Sequence, residues 1–433
     1  MQKTVLLLMF LISLFHINGQ EVMKLSLPEA QSYAIEKNRQ IKNANLEVKK
    51  AEAQKWQAIS TMLPQVSVGL DYSNQFGYEL EFGSSDIPGA AMKIKMPNSL
   101  TTAITTGVAL SAPQIIGVQI SKIAGKMSYI QQKQTEREVT DQVKTLYFSA
   151  LAMEETVTLL EKNSDNLKRL HSYAEQSVKV GVSEQTDADL ISVQVATMQT
   201  TISSTKRSLE MIYNAMRLQL GISSETEIEL TNTLEELMED AVEETTYGDS
   251  FVLDNNYNYQ LLEQSVALSK KQATLKWWDY APTATIFHQY SNLHYFEKEG
   301  GFRMTPPNVF GVSLKIPIFS SGMRLKAGQE AKLSYQQQLN TFDEATEGLK
   351  IQYRQLSYNY ISAAESFDTQ KQNMIVVQRV FDNISKKYEN GMASSLDVTT
   401  SGTELIGAQS NYVKALLDVI TAQIELENLL NIE

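Results

Sequence analysis

The chain has 433 residues, with 50 Asp and Glu against 38 Lys and Arg, a formal charge of −12 and no cysteine. That acidic balance argues against nucleic acid or an anionic surface as a partner. Without cysteine there is no disulfide, no cysteine metal site and no lipidated N-terminal cysteine.

Lys3, the apolar run Val5–Phe15 and then His16-Ile17-Asn18-Gly19-Gln20 read as a signal peptide over residues 1–19, with cleavage expected after Gly19. Its core is too short for a spanning helix, and no later window approaches ~18 uninterrupted apolar residues. If the mature chain sits in a membrane, it must do so as a β-barrel. A first repeat is expected over 20–222. Ser26-Leu27-Pro28-Glu29 is a capping-box pattern with an early proline, which predicts a helix over 26–37. A second helix is expected over 38–63, ended by Leu63-Pro64 because the residue before proline avoids helical geometry.

From Gln65 to Phe82 every even position except Asn74 is apolar and every odd one is polar or glycine. This predicts one strand over 65–82, greasy on the face of Val66, Val68, Leu70, Tyr72, Phe76 and Tyr78. A soluble hairpin alternates too, though usually for about five or six residues, whereas crossing a membrane takes roughly 9–11. Gly83–Pro97 reads as a loop. Alternation returns in a strand over 100–113, with Thr102, Ile104, Thr106, Val108 and Leu110 on one face. A proline-free stretch then predicts a helix over 114–178, roughly 65 residues and about 97 Å long. Val180-Gly181-Val182-Ser183 is a turn with glycine placed as a C-cap, and a further helix is expected over 186–220. Residues 223–252 carry acids from Glu225 to Asp249 and no Lys or Arg. They read as a short strand at Ile228–Leu230, a small helix and then a linker, with the acids forming a solvated face.

The plan then recurs over 253–433. Asn38…Leu63-Pro64…Tyr72-Ser73-Asn74 matches Asn256…Ala281-Pro282…Tyr290-Ser291-Asn292 at a constant offset. Gly107–Pro113 matches Gly311–Pro317, Gly181–Asp187 matches Gly391–Asp397, and Leu218–Ile222 matches Asn428–Ile432. The second half is therefore expected as a helix over 256–281, strands over 283–297 and 308–317, a long helix over 318–389 and a helix over 395–430. Alternation falters in the third strand, where Ala284, Ile286, His288 and Tyr290 share one face but Leu293 and Tyr295 take the other. A β-bulge near Asn292 would explain the switch. Four strands cannot close a barrel, and open edges are not tolerated in lipid, so membrane-spanning strands force subunits to share one barrel.

No catalytic motif or cofactor site is found: there is no Gly-x-Ser-x-Gly, P-loop or His-Glu-x-x-His. His288 and His294 are too far apart on a strand for one metal and read as rim or lumen residues. Trp277-Trp278-Asp279-Tyr280, just before Pro282, reads as an aromatic interface girdle.

These features resemble the outer-membrane efflux protein (TolC) family. The resemblance rests on Leu25-Ser26-Leu27-Pro28-Glu29-Ala30 with Ala34 and Asn38, on the two helix–proline–strand junctions, and on the tips Val180–Asp187 and Asn390–Val398. It covers nearly all of the mature chain. It implies a mainly α fold with a membrane β-barrel: a homotrimer with a twelve-stranded barrel in outer-membrane lipid, continued by a twelve-helix tube into the periplasm. It also implies a passive exit duct that docks a periplasmic adaptor (membrane fusion) protein and an inner-membrane pump of RND or ABC type. The adaptor would meet Gly181, Val182, Ser183, Gly391, Met392 and Ala393, although each glycine also fits a plain helix cap. The gate would involve Thr186, Asp187 and Tyr388, with Asp397 and Thr400 at the constriction. Well-known members have arginine at the position of Ala393 and aspartate at that of Thr400, so a salt-bridge latch is not expected and one constriction ring, from Asp397, is. Asp187 and Asp397 also suit helix N-termini electrostatically. Two rival readings of the residues are a periplasmic adaptor and an exported coiled-coil scaffold without a pore.

Overall fold

A computed structural model describes residues 22–82, 92–237, 251–296 and 306–431. The expected signal peptide, Pro88, the acids from Glu239 to Asp249 and Ile432 lie outside the described residues. The first half contains β1 (Met23–Leu25), α1 (Leu27–Lys37), α2 (Arg39–Ser60), β2 (Gln65–Ser73), β3 (Glu79–Phe82), β4 (Met92–Lys95), β5 (Ser99–Ser111), α3 (Ala112–Lys179) and α4 (Gln185–Leu220). There follow β6 (Ile228–Leu230), α5 (Tyr257–Trp278), β7 (Thr283–Tyr295), β8 (Asn308–Lys315), α6 (Met323–Glu389) and α7 (Ser395–Leu430). No described helix is long and apolar enough to cross a membrane.

The chain forms two compact units, one from 1–45, 131–260 and 345–433, the other from 46–130 and 261–344. The division expected from the repeats, at 20–222, 223–252 and 253–433, is not how the contacts group. Each unit takes segments from both repeats, because elements of one half pack on elements of the other; β5, the second strand of the first repeat, pairs with β7, the first strand of the second.

The second unit holds a four-stranded antiparallel sheet in the order β2-β5-β7-β8. Its register aligns Val68 with Ile104 and Ile104 with Tyr290, and aligns Val66, Thr106, His288 and Phe310 in another row. One face therefore carries Val66, Val68, Leu70, Tyr72, Ile104, Val108, Leu110, Ile286, Tyr290, Phe310, Val312 and Leu314. The other carries mostly Gln, Ser, Thr, Gly and Asp71. On that second face the ring of Phe287 lies across Gly311: a Cβ at Gly311 would sit 2.5 Å from Phe287 Cζ. Any larger side chain there would have to displace that ring. At the junction with α3, Gln114 Oε1 accepts from Ser111 N (2.8 Å), while Gln114 Nε2 donates to Thr61 O (3.0 Å), which fixes the strand-to-helix corner.

Several expected boundaries are corrected here. The strand expected over 65–82 is broken. Phe76 (φ 48°) and Gly77 (φ 77°) form a turn closed by Tyr78 N to Gln75 O (2.9 Å), with Asn74 Oδ1 accepting from Phe76 N (2.8 Å). Asn74, the one exception to the alternation, is the residue that ends the strand. Phe76 and Tyr78 thus leave the face of Leu70, and β3 pairs instead with β4, inside the segment expected as loop. The bulge expected near Asn292 is absent: pairing of β5 with β7 runs unbroken from Ser99↔Tyr295 to Ser111↔Thr283. His288 and Asn292 therefore stay on the face of Ile286 and Tyr290. The helix expected from 318 begins at Met323, because Ser321 (φ 50°) and Gly322 (φ 79°) interrupt it. The helix expected from 114 begins at Ala112, since proline fits a first turn. Those expected to reach 63 and 281 end at Ser60 and Trp278, ahead of their prolines.

The first unit is helical around two apolar clusters. One gathers Leu25, Ala30, Ala34, Val143, Tyr147, Met216, Leu220, Leu416 and Ile420. There β1 pairs in parallel with β6, and the buried Tyr147 hydroxyl donates to Leu25 O (2.9 Å). The other gathers Leu167, Leu170, Ile191, Met198, Phe381, Tyr388, Val398 and Leu405 toward the ends of the helical hairpins. Twin asparagines join helix ends in both repeats. Buried Asn38 accepts from Gln40 N (2.7 Å) at the start of α2 and donates to Gln219 O (2.7 Å) at the end of α4. Buried Asn256 accepts from Tyr259 N (3.1 Å) at the start of α5 and donates to Leu429 O (2.8 Å) at the end of α7. Each side chain satisfies orphan groups of two helices at once.

Candidate functional site: the paired hairpin tips

The chain reverses between α3 and α4 and again between α6 and α7, and the two reversals share one geometry. After α3, Gly181 has φ 77°, Gly181 N donates to Val178 O (3.0 Å) and Val182 N to Ser177 O (2.9 Å). After α6, Gly391 has φ 72°, Gly391 N donates to Tyr388 O (2.9 Å) and Met392 N to Lys387 O (2.8 Å). This double bond pattern is a Schellman motif, which needs a left-handed residue that glycine supplies without strain. The glycines act as caps, and the residues that follow project: Val182 is 79% and Met392 69% exposed.

Each second helix then opens with its own cap. Ser394 N and Oγ donate to Asp397 Oδ2 (2.8 and 2.7 Å), and Asp397 N donates back to Ser394 Oγ (3.1 Å). The Ser394 backbone bond, then its hydroxyl bond, hold the Asp397 carboxyl below the usual carboxylate range. In α4 the equivalent bond, Glu184 N to Asp187 Oδ2, is long at 3.4 Å. Asp187 has another partner: its Oδ1 accepts from the buried Ser395 hydroxyl on the other hairpin.

Asp187 also lies beside Tyr388. That tyrosine is 7% exposed, packs edge-on against Tyr173 (5.8 Å between ring centres) and leaves its hydroxyl without a hydrogen-bond partner. Burial, and after it the charge of Asp187, push its pKa up. The structure thus brings Asp187, Tyr388 and Ser395 together. It does not bring Asp397 or Thr400 to them: both are exposed on α7, and Thr186 is exposed on α4. Ala393 packs half-buried on the apolar cluster that includes Phe381 and Tyr388, which leaves that position to van der Waals contact rather than charge. Ser395 was not among the residues expected from sequence. Its only signal there is its place beside the cap Ser394, which does not reveal a contact with a helix some 200 residues away in the chain.

Among the described residues no group of His, Asp and Glu could hold a metal ion. The one polar depression worth naming lies among α1, α3 and the end of α7. It measures about 560 Å³ and is lined by Gln31, Arg137, Asp141, Lys144 and Glu427. Its charges are paired: Arg137 with Asp141 (3.1 Å) and Lys144 with Glu427 (2.7 Å). It reads as a structural network.

Two long hairpins with matching tips, together with a four-stranded sheet that is apolar on one face, point to a class: channel proteins of the outer membrane with a helical periplasmic extension. The model of the outer membrane efflux protein family matches residues 31–221 and 285–431, and the chain belongs to that family. No curated protein matches the sequence. Among solved structures, the outer membrane protein VceC of Vibrio cholerae is similar at TM-score 0.73 and 11% identity, covering 93% of this chain and 95% of that one. The CmeC outer membrane channel of Campylobacter jejuni gives TM-score 0.73 at 12% identity, with 93% and 85% covered. The open state of the MtrE outer membrane channel of Neisseria gonorrhoeae gives 0.69 at 14% identity, with 93% and 88% covered. The protein is thus an outer-membrane efflux channel extending into the periplasm, passive and not an enzyme.

Proposed function

We propose that three copies of the chain form one exit duct: a twelve-stranded barrel continued by a helical tube whose tips dock a periplasmic adaptor and, through it, an inner-membrane pump of RND or ABC type. The observation that carries this reading is the open sheet. Among the described residues β2 pairs only with β5 and β8 only with β7, so both edges of an apolar-faced sheet lack partners. In lipid such edges must be paired, and β8 of one copy against β2 of the next does so. The face of Val68, Ile104 and Tyr290 then meets lipid, and Asp71, Thr105 and Gln289 meet water in the lumen.

Gating falls to the tips. Thr186, Asp187 and Tyr388 form the part that must rearrange. Asp397 with Thr400 lines the constriction, and three copies of Asp397 focus negative potential and favour cations. The Asp187–Ser395 bond supports a closed arrangement without an arginine latch. Val182 and Met392, which project beyond the caps, meet the adaptor, and a bulky change at either leaves the glycine cap intact. The test replaces each with Trp and follows adaptor crosslinking and export, alongside the gel mobility of unheated and boiled protein. A slow-migrating species that collapses on boiling, with crosslinking and export both lost, is expected. A protein confined to the soluble periplasmic fraction, or tip variants that crosslink and export normally, would remove the reading.

A further inference from the structure

The two repeats differ where strand passes back into helix. In the first, β5 ends at Ser111 and α3 begins at once at Ala112. In the second, β8 ends at Lys315 and α6 begins only at Met323, leaving the segment Ile316–Gly322 between them. Up to that segment, alternate residues of β8 are bare: Phe310, Val312 and Leu314 are all exposed, on the face shared with Ile286 and Tyr290. The alternation continues past the strand through Ile316, then Ile318 at 92% exposure, with Phe319 at 84% beside it.

This segment is not left slack. Ser321 and Gly322 both take positive φ, and Met323 N donates to Ser320 O (2.9 Å). Arg324 Nη1 reaches back to Pro317 O (3.4 Å), and its guanidinium sits over the Tyr280 ring (5.8 Å). Tyr280 in turn stacks on Trp277 (6.3 Å), whose indole packs over Gly328 in α6. Trp278 is half exposed, and Lys276 and Lys326 are exposed at the same end of the sheet. Two large apolar side chains are therefore exposed on a turn that Arg324 ties to the Tyr280 ring, with the side chains of Lys276 and Lys326 exposed at the same end of the sheet. In water that arrangement is unfavourable. At a membrane interface it fits each part, with aromatic rings at headgroup level and long cationic side chains reaching phosphate.

We propose that Ile316–Gly322 is a lipid wedge, one per chain, with Ile318 and Phe319 inserted in the periplasmic leaflet of the outer membrane and Arg324, Lys326 and Lys276 facing phospholipid phosphate. The occupant is lipid rather than a second copy, because the segment continues the bare apolar face of β8 and not its hydrogen-bonding edge. The wedge sets the depth of the channel at its periplasmic end. It rests on reading the sheet as the membrane-spanning wall.

The chain has no cysteine, so single-cysteine variants at Ile318, Phe319, Ile104 and Val182 can each carry an environment-sensitive fluorophore on the full-length protein in phospholipid vesicles. Lipids spin-labelled near the headgroup, lipids labelled deep in the acyl chain, and aqueous iodide serve as quenchers. The expected result is that Ile318 and Phe319 probes lose most emission to the shallow label and little to iodide. The Ile104 probe, midway along β5, responds to the deep label, and the Val182 probe only to iodide. If Ile104 responds to lipid but Ile318 and Phe319 respond to iodide alone, the wedge is refuted while the membrane wall stands. Protection of both from all three quenchers means a neighbouring copy covers them, which also refutes it. If no Ile104 signal comes from lipid, the wall itself is wrong and the wedge falls with it.

Discussion

Replacing Asn38 or Asn256 separates two roles that one side chain performs. Asn38→Ala removes the acceptor for Gln40 N and Ile41 N and the donor to Gln219 O and Oε1. Losing an N-cap costs about 0.5–2 kcal/mol, and leaving a buried carbonyl unpaired about 1–3 kcal/mol. Roughly 2–4 kcal/mol per site is expected. Asn38→Asp is more informative. It keeps the cap acceptor, and even adds charge favoured at a helix N-terminus, but it turns the donor into an acceptor facing a carbonyl oxygen 2.7 Å away. If capping alone mattered, Asp would match or exceed wild type. If the link between helix ends matters, Asp falls with Ala. The same pair at Asn256 should behave alike, because Asn256 binds Leu429 O at 2.8 Å. Gly221→Ala offers an independent check, since its Cβ would sit 2.8 Å from Lys37 O at a φ of 70°. The assay is the thermal unfolding midpoint, by circular dichroism, of purified protein in detergent between pH 5 and 8. An Asn38→Asp protein as stable as wild type across that range would refute the helix-joining role.

Gly311→Ala should impair assembly, because the new methyl would meet the Phe287 ring at 2.5 Å, and Phe287→Ala should restore yield in the double variant; equal yields of heat-modifiable species in all three would contradict the packing. Cysteines at 187 and 395 should crosslink within one chain under oxidation and lower conductance reversibly, whereas a fully crosslinked variant with unchanged conductance would place the constriction elsewhere. Asp397 is held ionised by its cap, so cation preference of the pore should persist as pH falls and disappear only below the ordinary carboxylate pKa of about 3.9; Asp397→Asn should lose it at every pH, and a selectivity curve centred higher would show the cap does not hold the charge. Leu70→Arg should cost about 2–4 kcal/mol if the residue lies near the bilayer midplane, against little for Ser73→Arg, as read by the yield of assembled protein; equal yields would refute the assignment of faces.

Order, type and periodicity of the elements were legible in the chain because each is local chemistry. Alternation marks strands, prolines mark junctions, and glycine marks the caps at 181 and 391. The duplication was legible because Asn38 and Asn256 stand at the same place in each half. What stayed hidden depended on which parts meet. Asn74 broke the alternation of the first strand, yet only the turn at Phe76–Gly77 shows that the break ends the strand. The faltering pattern around Asn292 suggested a bulge, but pairing with β5 holds the register, and polar His288 and Asn292 are carried on the apolar face. Asp187 and Asp397 look equivalent in sequence, both acids at the third position of a helix. Tertiary packing separates them, turning one toward Ser395 and Tyr388 of the other hairpin and leaving the other to its own cap. A side chain's local role follows from neighbours in the chain; its partner across the fold follows only from which helices pack together, and no local pattern encodes that.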